Sequence, residues 1–233
     1  MGDRTGIEWT DRTWNPWYGC TKVSAGCDHC YMFRDQERRG QIADVVARSK
    51  TTFRDPLTWK DPARVFSCSW SDWFHRDADP WRAEAWAIIR ATPHLTYQIL
   101  TKRPGRIARH LPKDWGDGYP NVWLGVSLET QGYASRLAVL ADIPARVRFM
   151  SAEPLLSRLT LDAWLPGFHW VIAGGESGPG ARPMALHWVR RLRDDCAFHG
   201  VPFFLKQLGG HPDARAHEKA VLDGRRHTEM PRA

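Results

Sequence analysis

The sequence predicts an α/β fold, a partial (β/α)6 TIM-like barrel, and three observations carry that expectation. Six short apolar runs, rich in β-branched and aromatic residues, recur along the chain at the length of buried parallel strands. Segments of helical periodicity separate them, which is the order of parallel α/β folds. The 233 residues suit about six such units better than a full eight-fold barrel, which typically takes ~250 residues. A doubly wound open sheet is the alternative assembly of the same units.

The strand candidates are 65–70, 95–100, 122–126, 147–150, 170–173 and 201–205. An N-terminal strand, or the cysteine loop with its helix, opens the series. Between the runs, 81–91 (WRAEAWAIIRA) puts Trp81, Ala85, Ile88 and Ile89 on one helical face. Segments 134–141 (ASRLAVLA) and 188–198 (WVRRLRDDCAF) are similar, and Gly200 is placed to stop the last helix. No interdomain linker is visible. The expected organisation is one partial barrel over residues 1–210, with a cysteine loop at 20–31, followed by a polar, mobile or surface-wrapping tail over 211–233.

Composition narrows the function classes. Hydrophobic residues make up 42%, ordinary for a globular protein. No apolar run approaches the roughly 20 residues of a membrane span, and the N-terminus lacks a basic region leading into an apolar stretch. These features predict a cytoplasmic protein with no membrane association. Lys and Arg number 33 against 26 Asp and Glu, a formal charge of +7. That balance favours an anionic partner such as nucleic acid. Among thirteen tryptophans, Trp9, Trp14, Trp17, Trp70 and Trp73 lie in polar company where a base could stack.

The residues at the end of each strand predict where the site lies. The ends carry Ser69-Trp70-Ser71-Asp72, Thr101-Lys102-Arg103, Ser127-Leu128-Glu129, Ser151-Ala152-Glu153, Gly174-Gly175-Glu176-Ser177 and Lys206-Gln207. In parallel α/β folds the loops after the strands build the active site. Glu129, Glu153 and Glu176 are therefore expected to converge on one mouth beside Lys102, Arg103 and Lys206. Lys102 and the three glutamates are the candidate catalytic residues. The run 174–180 reads either as a glycine-rich phosphate cradle or, preferably, as a tight turn needing positive φ.

Cys20, Cys27 and Cys30 are the candidate metal ligands. Without a secretory leader, clustered cysteines more often bind metal or do redox work than form disulfides. Three thiolates suit a [4Fe–4S] cluster with one open iron, or zinc completed by His29 or His75.

The N-terminal motif Asn15-Pro16, Gly19-Cys20, Cys27, Cys30-Tyr31 resembles the radical S-adenosylmethionine enzymes, particularly their spore photoproduct lyase-like branch. Over nearly its whole length the chain is similar to the phage gene product 37/68 family (domain of unknown function 5131). Matching motifs are TWNPWYGCTKVSAGCDHCY, LTKRP, GVSLE, SAEPL, GGESGPGARP and FLKQ, in that order. The resemblance implies a partial barrel of the radical S-adenosylmethionine type, with the cluster on Cys20, Cys27 and Cys30 and S-adenosylmethionine on its open iron. It further implies cofactor contacts from Tyr31, Ser69, Ser71, Asp72, Ser127, Glu129 and Ser151. Two features depart from the radical pattern: six residues rather than three separate the first two cysteines, and Gly174-Gly175-Glu176 comes after a late strand. Charge, tryptophan content and the photoproduct-lyase likeness favour repair or base modification of nucleic acid. The alternatives are a zinc-stapled nucleic-acid-binding module and an adaptor working through a protein partner.

Overall fold

The computed structural model describes residues 5–210 and 220–232. Seven strands form one parallel sheet in the order β1 (Arg12–Trp14), β4 (Ala63–Ser67), β5 (Leu95–Thr101), β6 (Val122–Ser127), β7 (Val147–Ala152), β8 (Trp170–Gly174) and β9 (Phe203–Gln207). Spatial order matches chain order, so every crossover runs the same way and the sheet curls into an open half-barrel with β1 and β9 as its ends. The doubly wound alternative would reverse the strand order partway, and it does not. A small antiparallel pair, β2 (Trp17–Tyr18) with β3 (Ala47–Arg48), flanks the mouth.

Alternation along the strands divides the core in two. Val122, Leu124 and Val126 of β6 face the helix-covered side, in the cluster that contains Ile88, Ile89, Leu137 and Leu192. Trp123 faces the concave side with Phe66, Phe149, Trp170, Ile172 and Phe204. Gly125 belongs to that inner face because a Cβ there would lie 2.4 Å from the Phe149 ring. The missing side chain is what lets Phe149 fill the interior.

The helices are α1 (Tyr31–Arg38), α2 (Asp79–Ala91), the single turn α3 (Ile107–His110), α4 (Ser135–Ala141) and α5 (Leu186–Phe198). Helix α2 buries Ala85, Ile88 and Ile89 as its periodicity predicts, together with Trp86 and Arg82. Arg82 is tolerated because it donates to the carbonyls of Trp73 and His75 and pairs with Asp79 at 2.6 Å. Gly200, at φ +67°, ends α5, and the Val201 amide returns to the Cys196 carbonyl at 2.9 Å.

One strand boundary differs from expectation. The run 65–70 is strand only to Ser67, because Cys68 turns into the left-handed region at φ +63°. Ser69–Asp72 is thereby released to the mouth. Residues 211–219 of the expected tail lie outside the described residues. Beyond them, β10 (Val221–Leu222) and β11 (Arg225–Arg226) form a hairpin, and Thr228 pairs antiparallel with Phe204 at the β9 edge. Among the described residues no helix is long and apolar enough to cross a membrane.

Candidate functional site

The loops after the strands enclose a cavity of about 430 Å³ on the concave side. Its inner wall is apolar, from Trp9, Phe66 and Leu100. Its outer wall holds Tyr31, Phe33 and Trp70, and Lys102, Glu153, Lys206 and Glu176 bring charge to it. Cys20, Cys27 and Cys30 also face it, as do Ser69, Ser71, Asp72, Ser127 and Ser151.

Local hydrogen bonds explain how the N-terminal motif is held. Asn15, buried at the end of β1, accepts from the Trp70 amide at 2.8 Å and pairs with the Ser69 hydroxyl at 3.0 Å. The Tyr31 hydroxyl donates to the Ser69 carbonyl at 2.6 Å, and burial pushes its phenol well above the ordinary range. Ser71 donates to the Gly19 carbonyl at 2.5 Å, and the Gly19 amide donates to the Trp70 carbonyl. Gly19 is required here: it has φ +87°, and a Cβ would lie 2.2 Å from the Val45 carbonyl oxygen. Asp72 caps the next turn through the Phe74 amide and receives the Thr101 hydroxyl at 2.6 Å and the Lys102 amide at 2.9 Å. Ser69, Ser71, Asp72 and Tyr31 thus knit three loops together.

The strand-end carboxylates are each tied to a cation. Glu129 is fully buried, with Lys102 at 2.5 Å, Ser24 at 2.8 Å and Arg136 at 3.2 Å. Burial works to raise its pKa, but Lys102, Arg136 and Ser24 outweigh that and hold it below the usual range. Glu176 accepts two bonds from the Arg182 guanidinium, one from the Arg182 amide and one from His29 Nδ1 at 2.9 Å. Against the opposing effect of burial, these bonds bring its pKa down to about 2. Glu153 pairs with Lys206 at 2.5 Å. Lys102 and Glu153 with Lys206 share the cavity wall as the strand-end pattern predicts, while Glu129 sits behind it.

Two residues of this network escaped the sequence reading. Ser24 carries no signal beyond its place in the cysteine loop. Arg136 does carry one: it interrupts the otherwise apolar face of α4, and a buried arginine there requires an acidic partner. The network holds the cysteine loop: Ser24 donates to Glu129, and Arg182 donates to the Ala25 carbonyl at 2.8 Å. Glu129 and Glu176 therefore fasten the loop to the barrel at two points.

The metal expectation is corrected by this geometry. Among the described residues no group of three or more His, Cys, Asp or Glu side chains is placed to hold a metal ion. That finding overturns both the iron–sulfur and the zinc expectations for Cys20, Cys27 and Cys30, and with the open iron goes the expected anchor for S-adenosylmethionine. The physical reason is that the candidate ligands are turned to other partners. Cys20 Sγ donates to the Thr21 carbonyl at 3.6 Å, and burial pushes its thiol up to about 12. Cys27 Sγ lies 3.7 Å from the Ser24 hydroxyl. Burial also pushes the Cys30 thiol up. His29 is committed to Glu176. His75 accepts the Asp77 amide on Nδ1, so its Nε2–H donates to the Thr21 hydroxyl at 3.0 Å. Burial, and after it the Arg103 charge, lowers its pKa, in keeping with that neutral form. Arg103 donates to the Thr21 carbonyl and hydroxyl at 2.8 Å rather than facing the cavity.

Two further expectations resolve on packing. Trp14, Trp17 and Trp73 are core residues with ring centroids 5.0–5.7 Å apart, whereas Trp9 and Trp70 border the cavity. The glycine run is a turn: Gly178 and Gly180 have φ of +92° and +72°, and a Cβ on Gly175 would lie 2.4 Å from the Leu208 carbonyl oxygen.

The chain belongs to the DUF5131 family, whose model, described as "Protein of unknown function (DUF5131)", matches residues 4–231. No curated protein and no solved structure matches the chain.

Proposed function

We propose that this DUF5131 member is an enzyme that acts on nucleic acid, admitting one nucleotide into the cavity at the mouth of its half-barrel. The observation that carries the reading is the polarity of that cavity. Trp9, Phe66 and Leu100 form an apolar inner wall suited to a flat base, and Ser127, Ser151, Lys102 and Lys206 give the remaining wall hydroxyls and cations. A volume of about 430 Å³ falls within the range of small-ligand sites. The excess of basic residues supports a polyanionic partner. So does the likeness of the N-terminal segment to the spore photoproduct lyase-like branch, and the motif order supports kinship with the phage gene product 37/68 family.

In this reading the side chains have distinct roles. Lys102 and Lys206 contact the anionic part of the nucleotide, and taking a base out of its stack is the general route by which enzymes reach it. Glu153, held by Lys206, is the group positioned to exchange a proton with the substrate. Glu129 and Glu176 keep the cysteine loop over the cavity.

Calorimetric titration with a deoxynucleoside monophosphate and with a single-stranded oligonucleotide tests the reading. Binding of both, weakened by Lys206→Ala, is the expected result. Failure of the wild-type protein to bind either one at low salt would sink it.

A further inference from the structure

We infer that the rim formed by α1, the cysteine loop and the loop after β4 is the track for single-stranded nucleic acid on either side of the admitted nucleotide. The inference rests on the nucleotide reading of the cavity and names the form of its substrate. Two aromatic rings, Phe33 and Trp70, border the cavity and are half-buried. Each carries a cation: Lys22 Nζ lies 5.3 Å from the Phe33 centroid, and the Arg39 guanidinium lies 4.3 Å from that of Trp70. Both cationic residues are exposed. Neither has a carboxylate partner among the ion pairs of the described residues; Lys22 donates to the Asp28 carbonyl, at 3.3 Å.

That pairing differs from the cations inside the mouth. Lys102 and Lys206 are each already paired with a glutamate. Lys22 and Arg39 instead leave net positive charge beside flat apolar surface, the combination that binds single strands: bases stack while cations track the phosphates. A duplex offers its bases only by edge and would leave Phe33 and Trp70 idle.

The test compares a mixed-sequence twelve-nucleotide single-stranded DNA with a deoxynucleoside monophosphate, on the wild-type protein and the Lys22→Gln, Arg39→Gln double variant. Both substitutions are on the surface, and thermal melting checks that the fold persists. The variant is expected to lose about tenfold in oligonucleotide affinity. The slope of log affinity against log salt should shrink by about 1.4, for two phosphates at roughly 0.7 each. Binding of the monophosphate should not change. If the monophosphate binds but oligonucleotide affinity and slope are unmoved by the double substitution, the rim assignment is overturned and the cavity reading stands. If neither ligand binds the wild-type protein, both fall together.

Discussion

Gly26 of the cysteine loop packs directly on Glu129 at the end of β6: a Cβ at Gly26 would lie 2.4 Å from the Glu129 Cγ and 2.6 Å from its Oε1. The loop can approach this closely only because position 26 has no side chain. The approach also brings Ser24 within 2.8 Å of the same carboxylate oxygen.

Gly26→Ala should therefore lift the loop or displace Glu129 from Lys102. A cost of about 1–3 kcal/mol in denaturant unfolding is expected, the usual range for overpacking. An unchanged midpoint and slope would show that the loop is not seated on Glu129.

Glu129→Gln removes the carboxylate shared by Lys102 and Arg136. Lys102 can turn outward, but Arg136 is buried and would keep an uncompensated charge. A loss of about 3 kcal/mol is expected. Restoring most of it by Arg136→Met in the Glu129→Gln background would identify the stranded cation as the cause. If the second substitution only adds to the damage, that explanation fails.

Acid should loosen the second fastening point. The Glu176 pKa is held down at about 2, against an ordinary 4.5, despite the opposing effect of burial. A depressed carboxylate contributes stability that is complete above its unfolded value and lost as pH falls through its folded value. The contribution of the Glu176–Arg182–His29 cluster should thus be full above about pH 4.5 and disappear toward pH 2. Stability measured from pH 6 to pH 2.5 should fall less steeply in Glu176→Gln than in wild type. Parallel curves would rule Glu176 out as a source of the acid dependence.

The Cys20 thiol should react slowly in the folded protein. With burial pushing it up to about 12, its thiolate fraction at pH 8 is on the order of one in ten thousand, against roughly a quarter for an ordinary free cysteine. Alkylation by iodoacetamide, tracked peptide by peptide in a mass spectrometer, should be more than about a hundredfold slower at Cys20 than after unfolding in urea. Equal rates in the two states would mean that the loop opens freely.

The secondary structure was largely legible in the chain, because the pattern of apolar positions reports directly on which face of an element is buried. The fully buried run of β6, the buried stripe of α2 and the stop at Gly200 all arise from spacing and residue type. The strand-end polar residues lie at the end of the sheet where the cavity opens, since in parallel α/β units the loops after the strands gather there.

Tertiary structure decided how those side chains are paired. Spacing placed Cys20, Cys27 and Cys30 in one loop, but it does not encode their mutual geometry: Cys20 Sγ contacts the Thr21 carbonyl and Cys27 Sγ the Ser24 hydroxyl, and among the described residues no group is placed to hold a metal ion. Glu129 meets Ser24 across 105 positions of sequence, and Glu176 meets His29 across 147. Contacts at such separation are set by the curl of the sheet and the path of the loops. Local periodicity contains neither, because it reports only which side of an element turns from water.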